Sequence, residues 1–192
     1  DEISENFLEV CVDYLDSNPD TSISSGIPLY YDKKNLKYTG VSHNHSQNNP
    51  GSRLVEYYYR VKDNGIFYGL IRMAMVNDEN FHEVVGGDHF WIAGIIAKGK
   101  TKILKKCQVH RQLGIASSKH GSGISTAEII LQANSYISEV FFSMVKMLQV
   151  NTINLGSLIS VMIIIIFRMY IKRLFGIKKF QMRTFVKNFL IL

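Results

Sequence analysis

The chain has 192 residues, 46% hydrophobic and 11% aromatic, with 14 Gly, 3 Pro and 2 Cys. That composition excludes a disordered chain, a disulfide scaffold and collagen-type or coiled-coil repeats, and suits one domain with an appendage. The net charge is +6, but residues 168–192 hold seven Lys and Arg and no Asp or Glu, leaving fifteen basic against sixteen acidic side chains in the first 167, a balance that argues against nucleic acid as a partner of the fold.

Residues 2–16, EISENFLEVCVDYLD, predict a helix. Ile3, Phe7, Val10, Cys11 and Tyr14 recur at three- and four-residue spacing, and Ser17-Asn18-Pro19-Asp20 stops the pattern. A polar stretch, 21–53, follows, and its segment HNHSQNNPGS (43–52) reads as an exposed loop. From Leu54 the period changes to two: Val55, Tyr57, Tyr59 and Val61 alternate with Glu56, Tyr58, Arg60 and Lys62, as in a half-buried strand. Asn64-Gly65 predicts a type I′ hairpin turn, whose two central residues need positive φ. Apolar runs over 66–76, 81–85, 89–97 and 101–110 predict four further strands. The expected fold is α+β, an N-terminal helix followed by an antiparallel meander of about five strands.

Gly121-Ser122-Gly123 breaks the chain, and Ser125 with Glu128 forms a capping box. The helix it opens places Ile129, Ile130, Ala133, Ile137, Phe141 and Met144 on one broad face and is expected to run on into the uncharged, 21-residue stretch 147–167. As a helix that stretch reaches roughly 30 Å, the hydrocarbon thickness of a bilayer. The frame 153–171 serves best, with Arg168 reaching the interface beside Tyr170. The expected organisation is therefore an extracytoplasmic α+β domain over 1–145, a transmembrane helix over 146–171 and a basic amphipathic cytosolic tail over 172–192. The excess of cations on the C-terminal side sets this orientation, with the N-terminal domain outside or in a lumen. Arg168, Lys172, Lys179, Arg183 and Lys187 fall on one helical face, suited to the anionic surface of a lipid bilayer.

Few residues suggest chemistry. His43 and His45 form an H-x-H pair that offers two imidazoles to a metal, but a third ligand, from His82-Glu83 or Asp88-His89, has to come from elsewhere. A nuclease-like reading takes two histidines as base and acid with a lysine on the developing charge, from His45, His110, Lys119 and His120. Asn44-His45-Ser46 is a glycosylation sequon. Tyr58 and Arg60, on the outer face of the expected strand, are candidates for partner binding. Cys11, on the helical face with Phe7 and Tyr14, and Cys107, on a strand face with Ile103 and Val109, both point inward and form a candidate disulfide.

No catalytic motif of fixed spacing is present, and no cofactor is expected. The leading expectation is a single-pass membrane protein whose extracytoplasmic domain binds a protein partner or scaffolds a complex, more a binding protein than an enzyme. The alternative is a histidine-dependent hydrolase or nuclease-like toxin domain with a membrane-inserting C-terminal helix.

Overall fold

Two long parallel strands, β2 (Thr21–Asp32) and β5 (Lys100–Gln112), form the centre of a mixed sheet. The computed structural model describes residues 1–76, 87–113, 126–149 and 152–167, with the backbone alone over 126–135. Strand β1 (Glu2–Ile3) adds antiparallel to β5. Strand β3 (Asn35–Thr39) folds back on the second half of β2 through a turn with Lys33 at φ 57°. Strand β4 (Leu70–Ile71) pairs with β2 at Ile23 and Ser24. Parallel neighbours need a crossover rather than a hairpin, and the connection from β2 to β5 carries helices α2 (Pro50–Arg60) and α3 (Gly87–Lys98). Helix α1 (Phe7–Ser17) precedes the sheet; α4 (Thr126–Gln149) and α5 (Leu155–Ile166) follow it. The α+β class is as expected from the sequence; the antiparallel meander is not what forms.

Each departure has a local cause. The expected strand at 54–61 is α2. Asn49 caps it by accepting the Ser52 N–H, and Pro50 opens it with a φ already suited to a helix. At helical spacing Leu54, Val55, Tyr57 and Tyr58 turn into the core. The run 89–97 is α3, with Phe90, Ile92, Ala93, Ile95 and Ile96 all buried. An element apolar on every side has no period to betray its type. Asn64 does adopt positive φ, 49°, but it leads into a 3₁₀ turn at Gly65–Tyr68 rather than a hairpin. Residues 66–76 supply two such turns around the two-residue β4. The strand expected at 81–85 lies outside the described residues, whereas 101–110 falls within β5.

Strand β2 went unread because its buried half is polar. Thr21, Ser22, Ser24 and Ser25 are almost fully enclosed. Ser22 Oγ donates to the Lys100 carbonyl and Ser24 Oγ to the Cys11 carbonyl, so two of the buried hydroxyls are satisfied by main chain.

Two separate cores result among the described residues. The larger joins Ile23 to α2, α3, α4 and α5, with Leu54, Tyr57, Ile92, Ile96, Val140 and Val161 at its centre. The smaller holds Phe7, Cys11, Cys107 and Val109 beneath α1. A bulge in β5 divides side chains between them: Leu104 lies opposite Gly26 but Gln108 lies opposite Ile27, leaving three residues out of register. Ile103 therefore packs on the larger core while Cys107 joins Val109 in the smaller one, which corrects the expectation that Cys107 shares a face with Ile103. Gly26 has to be glycine, because a Cβ there would lie 2.7 Å from the Cys107 carbonyl carbon.

The C-terminal helices depart furthest from expectation. Helix α4 stops at Gln149, and α5 restarts at Leu155 with Asn154 as its cap, accepting the Ser157 N–H. The uninterrupted helix expected to enter a membrane is therefore broken. No helix among the described residues is long and apolar enough to cross a membrane. The 12 residues of α5 span roughly 18 Å. On one side α5 buries Leu158, Val161, Ile164 and Ile165 in the larger core. It crosses α2 so closely that Ser157 fills the space a Cβ would need on Gly51. On α4, Val140 and Met144 are enclosed while Phe141, expected on the inner face, is exposed.

Candidate functional site at the histidine segment

The segment expected to be an exposed loop is stitched to the start of β5. Thr101 donates its N–H to the His45 carbonyl at 3.0 Å, and the His45 N–H returns a bond to Thr101 Oγ1 at 3.0 Å. Ile103 N–H donates to Asn44 Oδ1 at 2.7 Å. These bonds carry the His45 ring inward, and only 3% of the residue remains exposed. It meets the Tyr57 ring edge-on at 5.6 Å. Tyr57 Oη donates to Asn64 Oδ1, and Asn64 Nδ2 donates to Asp88 Oδ2, a chain that ties α2 to α3.

Glu56 stands beside the ring, with Oε2 3.5 Å from His45 Nδ1. That carboxylate is already engaged: Gln47 Nε2 donates to Oε2, and Arg60 Nε lies 3.2 Å from Oε1. His45 Nδ1 itself has no hydrogen-bond partner, and neither has the buried Ser42 Oγ. Ser42, His43, His45, Tyr57, Asn64 and Ile66 line a cavity of about 20 Å³. Burial pushes the His45 imidazole down to about 4, against the opposing pull of Glu56. His43 is lowered as well, first by burial and then by Arg60. Both rings are therefore neutral near pH 7 and able to accept a hydrogen bond. A space of this size holds one water molecule; pockets for organic ligands run to roughly 300 Å³ and more.

The other candidates are scattered. Thr101 and His110 lie opposite Ile23 and Leu29 on β2, six residues apart, so His110 stands roughly 20 Å from His45 and stacks instead on Tyr31. His45 and His110 are thus too far apart to act together as base and acid on one bond. Lys119 and His120, with the capping box at Ser125, lie outside the described residues, as do Arg168, Lys172, Lys179, Arg183 and Lys187. Among the described residues no three His, Cys, Asp or Glu side chains are grouped to hold a metal ion, although His43 and His45 do share the cavity. Asn44 of the sequon is exposed, with its Oδ1 committed to β5. Tyr58, expected outside, is 2% exposed and packs on Tyr57, because a helix and not a strand carries it. Arg60 pairs with Glu56 on the same helix. Cys11 and Cys107 are buried free thiols in the same small core.

One residue that organises this region escaped the sequence reading. Arg53, 4% exposed, donates from Nε to the Ile96 carbonyl and from Nη2 to that of Ala97, both at 2.7 Å. Its Nη1 donates to the carbonyls of Gln47 and Asn48. It closes the C-terminal end of α3 and fixes the histidine segment at once. Four residues before Tyr57, it shares that residue's face, a signal readable only once 50–60 is known to be a helix. Comparison with protein-family models, curated proteins and solved structures finds no match for this chain.

Proposed function

We propose that this chain is a membrane-associated binding domain that docks on the surface of an anionic bilayer through its C-terminal end. The observation that carries the reading is the outer face of α5. Leu155, Ile159 and Ile166 are 58%, 46% and 43% exposed. At 100° per residue they fall within about 40° of one another, opposite the buried face that includes Ile164. This aliphatic stripe leads directly into residues 168–192, with seven cations and no acid. Aliphatic side chains entering the acyl boundary beside cations on anionic headgroups are the two parts of an interfacial anchor, and each cation near the surface contributes about 1 kcal/mol.

A single span over 153–171, with the domain outside and the tail cytosolic, is the second reading, favoured by the same apolar run and the same charge flank. It requires Ile153, Leu158, Val161, Ile164 and Ile165 to leave the larger core, which weighs against it. The histidine-dependent hydrolase draws on the neutral His45 beside its cavity, and the cavity's size weighs against that.

Flotation of the full chain with vesicles tests the proposal. Binding to phosphatidylserine-containing vesicles is expected, with release by alkaline carbonate. A variant with Leu155→Ser and Ile159→Ser, or one with Lys172, Lys179, Arg183 and Lys187 all changed to Gln, is expected to bind more than tenfold more weakly. Retention after carbonate favours the span, and failure to bind either anionic or neutral vesicles overturns both.

A further inference from the structure

We propose that Cys11 and Cys107 are a dithiol–disulfide pair, which glutathione disulfide closes into a covalent clamp between α1 and β5. The inference is independent of the lipid reading. The two cysteines lie 96 positions apart in sequence, yet both are fully enclosed in the four-residue core under α1. Cys11 sits on the inner face of α1 with Phe7 and Leu15. Cys107 is the last residue of the β5 bulge, and Gly26 lets that main chain settle against β2. Both side chains pack in that one core, where Cys107 Sγ donates to the Leu104 carbonyl at 3.8 Å. Among the described residues the other buried members of this core are Phe7 and Val109, with Val10, Tyr68, Leu70 and Leu104 packed against it, so both sulfurs are part of what holds α1 to the sheet.

The exchange proceeds in two displacements. One cysteine thiolate attacks glutathione disulfide, forming a mixed disulfide and releasing one glutathione thiolate. The second cysteine thiolate attacks the protein sulfur of that mixed disulfide, forming the Cys11–Cys107 bond and releasing the second. In total the pair gives up two electrons and two protons, and one glutathione disulfide becomes two glutathiones. Burial raises both thiols, Cys107 to about 12, with the neighbouring Cys11 adding to the effect. At a given pH that leaves Cys107 with roughly a thousandfold less thiolate than an ordinary cysteine. The packed pair is therefore slow to react, and exchange runs through states in which α1 has lifted from the sheet. An oxidising lumen closes the clamp, and a reducing compartment keeps it open.

The full chain incubated with glutathione disulfide, quenched by alkylation and digested without reduction tests this. Mass spectrometry is expected to find the Cys11 and Cys107 peptides linked. Adding reductant is expected to lower the melting temperature of the oxidised protein by several degrees and to leave a Cys11→Ser variant unchanged. Recovery of both cysteines as alkylated thiols or as separate glutathione adducts overturns the proposal. So does a melting temperature indifferent to reductant. The peptide measurement uses the unaltered protein and does not depend on the variant folding.

Discussion

His45 ties stability to pH through a neutral ring. Burial holds its folded value at about 4, against about 6.5 in an unfolded chain. Between those values the unfolded chain binds the proton and the folded one does not. The contribution is therefore complete above pH 6.5 and disappears as the pH falls through 4, a loss of roughly 3 kcal/mol. Urea unfolding across this range should show wild type losing that much more than His45→Gln; identical slopes would mean that the ring is not held neutral by the fold. Arg53 works in the opposite sense, as a buried cation that four carbonyls require. Arg53→Met leaves those carbonyls without their donor and is expected to cost about 3 kcal/mol or more. Arg53→Lys should recover little, since one ammonium cannot reproduce a planar fork of donors. Denaturant midpoints of the two variants check this, and full recovery by lysine would argue against the fork geometry.

Among elements, the crossing of α2 over α5 is the most exacting contact. Alanine has the better helix propensity by about 1 kcal/mol, so Gly51→Ala would stabilise α2 if it stood alone. In the folded chain the added methyl overlaps Ser157 and forces the two helices apart. A net destabilisation of about 1–3 kcal/mol is expected. Adding Ser157→Gly should return part of it, a favourable coupling that a double-mutant cycle measures. The crossing also bears on how α5 is read. A helix that buries Val161, Ile164 and Ile165 on one side and exposes Leu155 and Ile159 on the other is amphipathic within the domain, however apolar its composition.

At the scale of the whole molecule, the boundary placed at residue 145 from sequence falls inside α4, and part of the larger core lies beyond it. A chain ending at residue 149 loses Leu158, Val161, Ile164 and Ile165. At about 1.5–3 kcal/mol for each buried aliphatic side chain, that exceeds the stability of many domains. Such a truncation is expected to lose its cooperative thermal transition. A sharp transition near that of the full chain would show instead that residues 1–149 fold as a unit. The periodic elements were legible without the structure: α1 from Phe7 onward, although Glu2 and Ile3, expected in its first turn, form β1 instead, the body of β5, and the helix opening near residue 126, because each announces its period in neighbouring residues. The meeting of Cys11 with Cys107 could be anticipated from those faces, although the bulge placed Cys107 apart from Ile103. Tertiary structure alone decided the rest. The first half of β2 is polar and becomes a central strand only because main-chain carbonyls take hydroxyls of its serines. Helix α3 is apolar on every side and so carries no period, and the alternation over 54–61 suits a strand until Asn49 and Pro50 start a helix. The burial of Tyr58, the reach of Arg53 and the packing of α5 on Gly51 all depend on contacts between distant segments. A local pattern records which face of an element is apolar; which surface covers that face is set by chain that lies elsewhere.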